Sequence, residues 1–370
     1  VGYKNLLSPE YIVSAKLPPV ELELEENTSK LAEVTVKATP FRRVKSSPVS
    51  LQIIGLSEIE KSPGGNRDIS RIVRSYPGVS FSPIGYRNDL IVRGGSPSEN
   101  RFYLDGIEIP NINHFATQGA SGGPVSILNA DLIREVQFYT GAFPANMGGA
   151  LSSVMDIRLR DGNADDNSFK ATLGASEVSL SGAGHFGKRT TYLFSIRQSY
   201  LQLLFKVLGL PFLPNYIDGQ FKIKTRITDK DEIVFLGLTG IDNMKLNTDE
   251  KGEDAEYMLS YLPRIEQQTF TLGAAYKHYA GKSVQTVSFG YNYLANQNLK
   301  YRNNDNSNPD NLTLDLSSHE QKASLRAENR TYGDRWTLIE GIEAYYARYD
   351  DKTFQRLYVN GGQNLLNQNT

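Results

Sequence analysis

The second half of the chain alternates apolar and polar residues over long stretches. Over most of residues 284–295, aromatic and aliphatic side chains occupy every second position, with Thr, Ser, Gly and Asn between them. Residues 191–199, 221–227 and 269–277 repeat the pattern. A period of two predicts strands with one apolar and one polar face. We count roughly nine such strands between residues 168 and 350.

The connections between these predicted strands alternate in length. Short turns followed by long polar loops are typical of outer-membrane barrels and not of soluble β-sandwiches. A sheet in lipid must close, and we interpret residues 361–370 as the entrance to a loop, so we expect the rest of the barrel in sequence not included here. The short turns are at 187–188, 229–231, 281–282 and 333–334, and the long loops at 242–262 and 299–316.

Residues 37–160 mix helical and strand patterns. Apolar residues at helical spacing over 69–76 end at Pro77-Gly78. Residues 102–109 carry the clearest hairpin signal, because Asp105-Gly106 supplies the positive φ angles of a type I′ turn between alternating residues. We therefore predict a compact α+β domain over 37–160.

A short alternating segment, "LAEVTV" at 31–36, stands between two polar stretches. Such a segment can pair with the sheet edge of another protein; the alternative is an ordinary first strand of the next domain. Residues 1–30 contain an alternating run that indicates an edge strand. The start at Val1 resembles the middle of a domain, so we expect that a leader and more were removed or that this is a piece of a longer chain.

Composition excludes several function classes. The 40 Lys and Arg nearly balance the 41 Asp and Glu, so nothing points to nucleic acid as a partner. With no Cys and only 4 His, zinc-cluster, thiol and disulfide chemistry are disfavoured. The Gly-rich stretch at 92–100 lacks the Lys-Ser/Thr ending of a phosphate-binding loop. The acidic residues of 305–310 are better explained as a solvated loop than as a Ca²⁺ site. We predict no catalytic residue, no metal, no cofactor and no enzyme.

Three stretches, in this order, resemble the plug domain of TonB-dependent outer-membrane receptors, in the form typical of Bacteroidetes-type bacteria. They are "ISRIVRSYPGVSFSP" (69–83), "DLIVRGGSPSENRFYLDGIEI" (89–109) and "LIREVQFYTGAFPANMGGALSSVMDIRLRDG" (132–162). The resemblance implies an α+β plug domain inside an antiparallel transmembrane β-barrel of 22 strands in the family. Its domains would be the end of a carboxypeptidase-regulatory-like β-sandwich at 1–30, a TonB box-like segment at 31–36, the plug at 37–160 and the N-terminal part of the barrel at 161–370.

The resemblance also implies a function, active import of a scarce nutrient across the outer membrane of a Gram-negative bacterium. TonB, energised with ExbB and ExbD, would pair with the box by strand addition. Outer-membrane lipid would surround the barrel, and the nutrient would be a small molecule or an oligomer. The box residues are Leu31, Ala32, Glu33, Val34, Thr35 and Val36.

The matching motif positions imply two further sites. Arg93 matches the family arginine that pairs with glutamates of the barrel wall and would lock the plug, whereas Thr140 replaces a second family arginine. Substrate would bind at the plug apex, where a mixture of aromatic and polar residues suits a siderophore, a peptide or a glycan equally. The apical residues are Tyr86, Arg87, Glu99, Asn100, Asn113, His114 and Phe115.

Three alternatives remain. The first is a SusC-like glycan or peptide importer that works with a surface lipoprotein, although residues 92–106 depart from the usual SusC-like stretch. The second is a structural or adhesive barrel without transport, whose function would survive deletion of 31–36. The third is a signalling receptor, which the N-terminal residues 1–30 disfavour because they do not resemble the family's signalling module.

Overall fold

The computed structural model describes residues 50–62, 68–81, 88–116, 120, 122–123, 125–174, 176–359 and 362–369. All of them belong to one compact unit, residues 43–370. The predicted sandwich end at 1–30 and the box at 31–36 lie outside the described residues, as do Tyr86 and Arg87. No helix within the described residues is long and apolar enough to cross a membrane.

The first part is the α+β domain that the sequence predicts. Five strands form one sheet in the order β1-β6-β7-β4-β5, with β4 and β7 parallel, and β2 pairs with β3 in a separate ribbon. The elements are β1 (Leu51–Gly55), α1 (Leu56–Lys61), α2 (Ile69–Val73), β2 (Val79–Phe81), β3 (Leu90–Val92), β4 (Asn100–Leu104), β5 (Ile107–Ile109), β6 (Ile133–Tyr139) and β7 (Ser153–Leu159).

Local sequence explains two of these elements. Asp68 caps α2 by accepting a hydrogen bond of 2.8 Å from the Ser70 amide, and the apolar residues of α2 are buried. The predicted hairpin is confirmed: β4 and β5 pair from Leu104↔Ile107 outward, and Asp105 and Gly106 have φ angles of 48° and 86°.

The second part is an antiparallel sheet of ten successive strands within the described residues. The nine strands predicted over 168–350 are confirmed. The interpretation of 361–370 as a loop entrance was wrong, because Gly362–Asn369 pairs with the preceding strand from Val359↔Gly362. The strands are β8 (Ser168–Leu173), β9 (Glu177–Phe186), β10 (Thr190–Ser199), β11 (Phe212–Arg226), β12 (Asp231–Leu246), β13 (Arg264–Ala280), β14 (Ser283–Tyr301), β15 (Leu312–Tyr332), β16 (Thr337–Val359) and β17 (Gly362–Asn369).

The long connections carry their own short helices, all on one side of the sheet. We call this side the long-loop side and the opposite one the short-turn side. The helices are α3 (Leu201–Val207) between β10 and β11, α4 (Glu253–Tyr261) between β12 and β13, and 3₁₀ turns at Arg302–Asn304 and Pro309–Asn311 between β14 and β15. The predicted alternation of short turns and long loops is thus confirmed for these connections.

The two faces of the sheet differ in chemistry. On β11, the side chains of Asp218, Gln220 and Lys222 are buried against the α+β domain, whereas Ile217 and Phe221 on the other face are exposed. Wall glycines allow close approach: a Cβ at Gly273 would lie 2.7 Å from Ile107 Cγ1, and one at Gly290 would lie 2.9 Å from Ile107 Cγ2. The α+β domain therefore lies against a largely polar inner face.

Candidate functional site

His114 lies at the centre of the contact between the α+β domain and the sheet. The loop after β5 carries the fully buried side chain to a position between two strand carboxylates. His114 Nδ1 is 2.6 Å from Asp242 Oδ1, and Nε2 is 3.2 Å from Asp218 Oδ2. A buried carboxylate costs folding free energy unless it is paired. Here the imidazole ring lies between the two carboxylates and provides each of them with a partner.

The electrostatics of this cluster favour a charged His114. Burial by itself would lower the pKa of the imidazole, but the adjacent carboxylates of Asp242 and Asp218 outweigh that effect and raise its pKa to about 9. His114 is therefore an imidazolium at neutral pH, and both ring nitrogens donate to carboxylates. We call the group His114, Asp218 and Asp242 the histidine clamp.

The two residues after His114 are also bound to the sheet. The Phe115 amide donates to Asp242 Oδ2 at 2.6 Å, and Phe115 has a φ of 55°, a left-handed conformation that is uncommon for residues other than glycine. The Ala116 amide donates to Gln267 Oε1 at 2.9 Å, and Gln267 Nε2 donates to the Ala116 carbonyl. Three consecutive residues are thus fixed by wall side chains.

Arg197 of β10 supports the clamp from the side. Its Nε donates to Asp218 Oδ1 at 2.9 Å, and its Nη2 donates to the Ser126 carbonyl at 2.6 Å. Tyr216 stacks on the His114 ring with centroids 4.0 Å apart. The clamp is therefore a buried network and not an isolated ion pair.

Further along the inner face, amide and lysine side chains bind the α+β domain directly. The Asn129 amide donates to Gln220 Oε1 at 3.0 Å, and Asn129 Nδ2 donates to Ser195 Oγ at 2.7 Å. Asn292 Nδ2 donates to the Glu108 carbonyl at 2.8 Å, and Lys322 Nζ lies 2.6 Å from the Glu108 carboxylate.

Lys222 anchors the hairpin turn on the short-turn side. The mostly buried ammonium is 2.9 Å from Asp105 Oδ2 and 2.8 Å from Asp161 Oδ1. Asp105 Oδ1 also accepts a hydrogen bond of 3.1 Å from the Leu159 amide. One lysine thus connects the hairpin turn, the segment that enters the sheet and β11.

We expect Lys222→Met to loosen this anchor. Two carboxylates lose their shared cation in a partly buried site, which should cost about 2 kcal/mol locally. Hydrogen exchange of the Leu159 amide should accelerate accordingly. As a matched control, Lys170→Met removes an exposed ion pair with Asp131, at 2.8 Å, and should change exchange little. Equal effects of the two variants would contradict the anchoring role of Lys222.

The structure places several predicted apical residues in the interior. Asn100 and Asn113 are buried inside the α+β domain, where Asn100 Nδ2 donates to the Leu90 carbonyl at 2.8 Å and Asn113 Nδ2 to the Gly123 carbonyl at 2.6 Å. His114 is buried as well, so these three side chains bind polar groups of the protein itself. Glu99 is half-buried, and Phe115 lines a cavity on the long-loop side.

Arg93, which the resemblance makes a plug–barrel lock, lies at a turn, with φ angles of 51° at Arg93 and 77° at Gly94. Its side chain is exposed, and Nη2 donates to Thr140 Oγ1 at 3.3 Å. This hydrogen bond stays within the α+β domain, and it involves the residue at the position of the second family arginine.

Sequence reasoning missed Arg197, Asp218 and Asp242. A signal was present on β12, where Asp242 follows the apolar residues Leu236 and Leu238 on the same face; on β11, Asp218 belongs to a polar face and does not stand out. Within the described residues, no group of three or more His, Asp and Glu is arranged to hold a metal ion.

Two comparisons of the sequence find known proteins that are similar to parts of this chain. Residues 43–154 match the family model described as TonB-dependent Receptor Plug Domain. Over 129 residues the chain is 28% identical to the "Uncharacterized protein YddB" of Escherichia coli (strain K12), covering 30% of this chain and 16% of that protein.

Solved structures extend the likeness into the sheet. The chain resembles FpvA of P. aeruginosa, solved with heterologous pyoverdines, with a TM-score of 0.62, 15% identity and coverage of 86% of this chain and 45% of FpvA. It resembles the "Copper transporter OprC" with a TM-score of 0.60, 12% identity and coverage of 87% and 48%. The chain thus spans about half the length of these proteins. Residues 43–154 thus match the plug domain of TonB-dependent receptors, and the chain as a whole has the fold of the corresponding part of such receptors.

Proposed function

We propose that this chain is part of a receptor that imports a scarce nutrient across the outer membrane of a Gram-negative bacterium, with energy delivered through TonB. The observation that carries the proposal is the polar contact between plug and wall at His114, Asn129, Glu108 and Asp105. Hydrogen bonds and ion pairs can be exchanged for bonds to water at small net cost. The buried wall residues that join the hydrophobic core of the plug are few within the described residues, namely Leu193, Leu236 and Leu238, so a pulled plug breaks mainly polar contacts with this wall.

The outer face of the sheet supports a membrane location. Ile196, Phe221 and Ile241 project from neighbouring strands on the face away from the plug and are exposed in the chain alone. In a membrane these side chains would contact outer-membrane lipid, as alternating strands of a barrel require.

TonB would act on the segment Leu31–Val36. Strand addition needs a short free segment with unpaired amides and carbonyls, and the alternating pattern of this segment suits it. The energy would arrive from the inner membrane through TonB with ExbB and ExbD. Arg93 remains proposed as an additional plug–barrel lock, on the resemblance alone.

Site-specific crosslinking tests this proposal. With a photoreactive amino acid at Val34, we expect a crosslinked product with TonB in living cells, and none in cells that lack TonB. The same amino acid at Lys188, in the short turn after β9, serves as a control position outside the segment. Absence of the Val34 product under nutrient limitation would contradict TonB-driven import.

The class of substrate is supported only by the similarity of this fold to receptors whose ligands are named. Structures of similar fold include the ferripyoverdine receptor of Pseudomonas aeruginosa bound to ferripyoverdine and PfeA, described as a ferric enterobactin receptor, and OprC is named as a copper transporter. We propose that the substrate contacts Phe115 and Glu99 together with Tyr86 and Arg87 at the plug apex. A SusC-like importer with a surface lipoprotein is the alternative within the family, and an adhesive barrel is the alternative outside it.

A further inference from the structure

A cavity of about 480 Å³ lies between the plug, the wall and α3 on the long-loop side. The plug contributes Asp68, Arg71, Phe115 and part of the segment 125–130, the wall contributes residues of β9 to β13, and α3 covers the cavity with Leu201 and Phe205. This volume is within the range of small-molecule binding pockets.

Aromatic and aliphatic side chains make up much of the lining. Phe205 and Phe212 meet edge to face with centroids 5.3 Å apart, and Tyr216 forms another wall while it stacks on His114. Aromatic rings favour edge-to-face or offset contacts with a further ring. Aliphatic side chains of Val125, Leu128, Leu201, Met244 and Ile265 fill the remaining walls.

The charged groups of the lining are balanced and already paired. Asp68 accepts from the Ser70 amide at 2.8 Å and lies 3.9 Å from Arg71 Nε. Glu177 accepts from the Tyr216 hydroxyl at 2.8 Å, and its carboxylate lies 3.8 Å from Arg197 Nη1. Two acids thus face two bases, and each of them has a protein partner.

Two neutral polar side chains of the lining, those of Asn129 and Ser126, are engaged in the same way. Asn129 Oδ1 accepts from the Asp131 amide at 2.9 Å, while its Nδ2 donates to Ser195. Ser126 Oγ donates to the Ile112 carbonyl at 3.3 Å and accepts from the Leu128 amide at 3.1 Å. A sugar, which carries a hydroxyl on most of its ring carbons, would lose many hydrogen bonds to water on entering this cavity and would find these protein groups already engaged.

We propose that this cavity binds an uncharged aromatic group of the imported substrate. The proposal rests on the import function above and specifies one part of the ligand. An anionic group would find its potential cations, Arg71 and Arg197, already paired with carboxylates, and a sugar would find Asn129 and Ser126 already hydrogen-bonded within the protein. A flat, apolar ring needs neither and gains ring contacts with Phe205, Phe212 and Tyr216.

Ligand-observed fluorine NMR on the purified full-length receptor tests the proposal. The probes are p-fluorobenzyl alcohol, the anion p-fluorobenzoate, the cation p-fluorobenzylammonium and the sugar fluoroglucose. We expect saturable binding of the alcohol, tighter than that of the other three, measured against receptor-free micelles.

Two variants of the same helix provide the matched comparison. Phe205→Ala removes one ring of the lining and should weaken binding of the alcohol about fivefold. Leu203→Ala changes a side chain that is 61% exposed and outside the lining, and should leave binding unchanged. Heat-modifiable migration in gels verifies folding, and Leu201→Ala replaces Phe205→Ala if that variant does not fold.

The outcomes separate this inference from the import proposal. Absence of saturable binding of the alcohol, equal or tighter binding of the benzoate, the benzylammonium or fluoroglucose, or equal effects of Phe205→Ala and Leu203→Ala would each overturn the aromatic subsite. Because the NMR experiment contains no TonB, it is independent of import. A failed Val34 crosslink would overturn the import proposal and leave the binding result intact.

Discussion

Deletion of Leu31–Val36 should abolish nutrient uptake while the amount of receptor in the outer membrane stays unchanged. The segment lies outside the plug-domain match at 43–154, so its loss should spare assembly. Without it TonB has no strand with which to pair, and no work reaches the plug. In competition under nutrient limitation, the deletion strain should be as unfit as a strain without the receptor.

Point variants distinguish the loss of strand pairing with TonB from the effect of shortening the chain. Val34→Pro removes a backbone N–H that strand addition uses and should reproduce the deletion, whereas Val34→Ile keeps the strand propensity and should retain uptake. Wild-type fitness of the deletion strain would refute TonB-driven import and favour a structural or adhesive barrel.

His114→Ala should release the loop at residues 114–116 from the wall. Removing one partner of a buried ion pair typically costs about 3–5 kcal/mol, because the remaining charges stay buried and uncompensated. Asp218 would retain Arg197, whereas Asp242 would retain only the Phe115 amide from the contacts described above. We expect hydrogen exchange of the Phe115 and Ala116 amides to accelerate on the order of a hundredfold.

Another histidine of the chain provides the control. His185 is near the end of β9, and its Nδ1 lies 2.9 Å from the Gly187 carbonyl in an exposed position. His185→Ala should leave exchange at residues 115–116 unchanged. A second readout is entry of a bulky antibiotic, which should increase for His114→Ala alone. Unaltered exchange in His114→Ala would show that the clamp does not anchor the plug.

The pH dependence of exchange at the clamp follows from the charge of His114. The pKa is raised from 6.5 to about 9 by Asp242 and Asp218 despite burial. The contribution of the clamp is therefore complete below pH 6.5 and is lost as pH rises through about 9. After correction for intrinsic exchange, protection of the Phe115 amide should be constant from pH 5 to 6.5 and decline above pH 9, and His114→Gln should abolish that decline.

Much of the architecture follows from local sequence. The alternation of apolar and polar residues over the second half of the chain sufficed to predict nine strands, because successive side chains of a strand point to opposite faces and only one face is apolar. The lengths of the segments between these strands predicted that short turns alternate with long loops. Asp105-Gly106 predicted its hairpin for an equally local reason, since few residue pairs tolerate two successive positive φ angles. The plug signatures were likewise readable in order along the chain.

Pairing across the molecule was decided only by the tertiary structure. His114 and Asp242 are 128 positions apart, and only the register of β11 and β12 against the plug brings Asp218 and Asp242 to opposite sides of one ring. The same holds for β17, whose weakly patterned residues form a strand because β16 offers an unpaired edge. The sequence by itself thus determined most of the elements and the family resemblance, because these depend on neighbours in the chain. The polar clamp and the aromatic cavity depend on burial and on partners far away in sequence, which only the folded arrangement of plug and wall supplies.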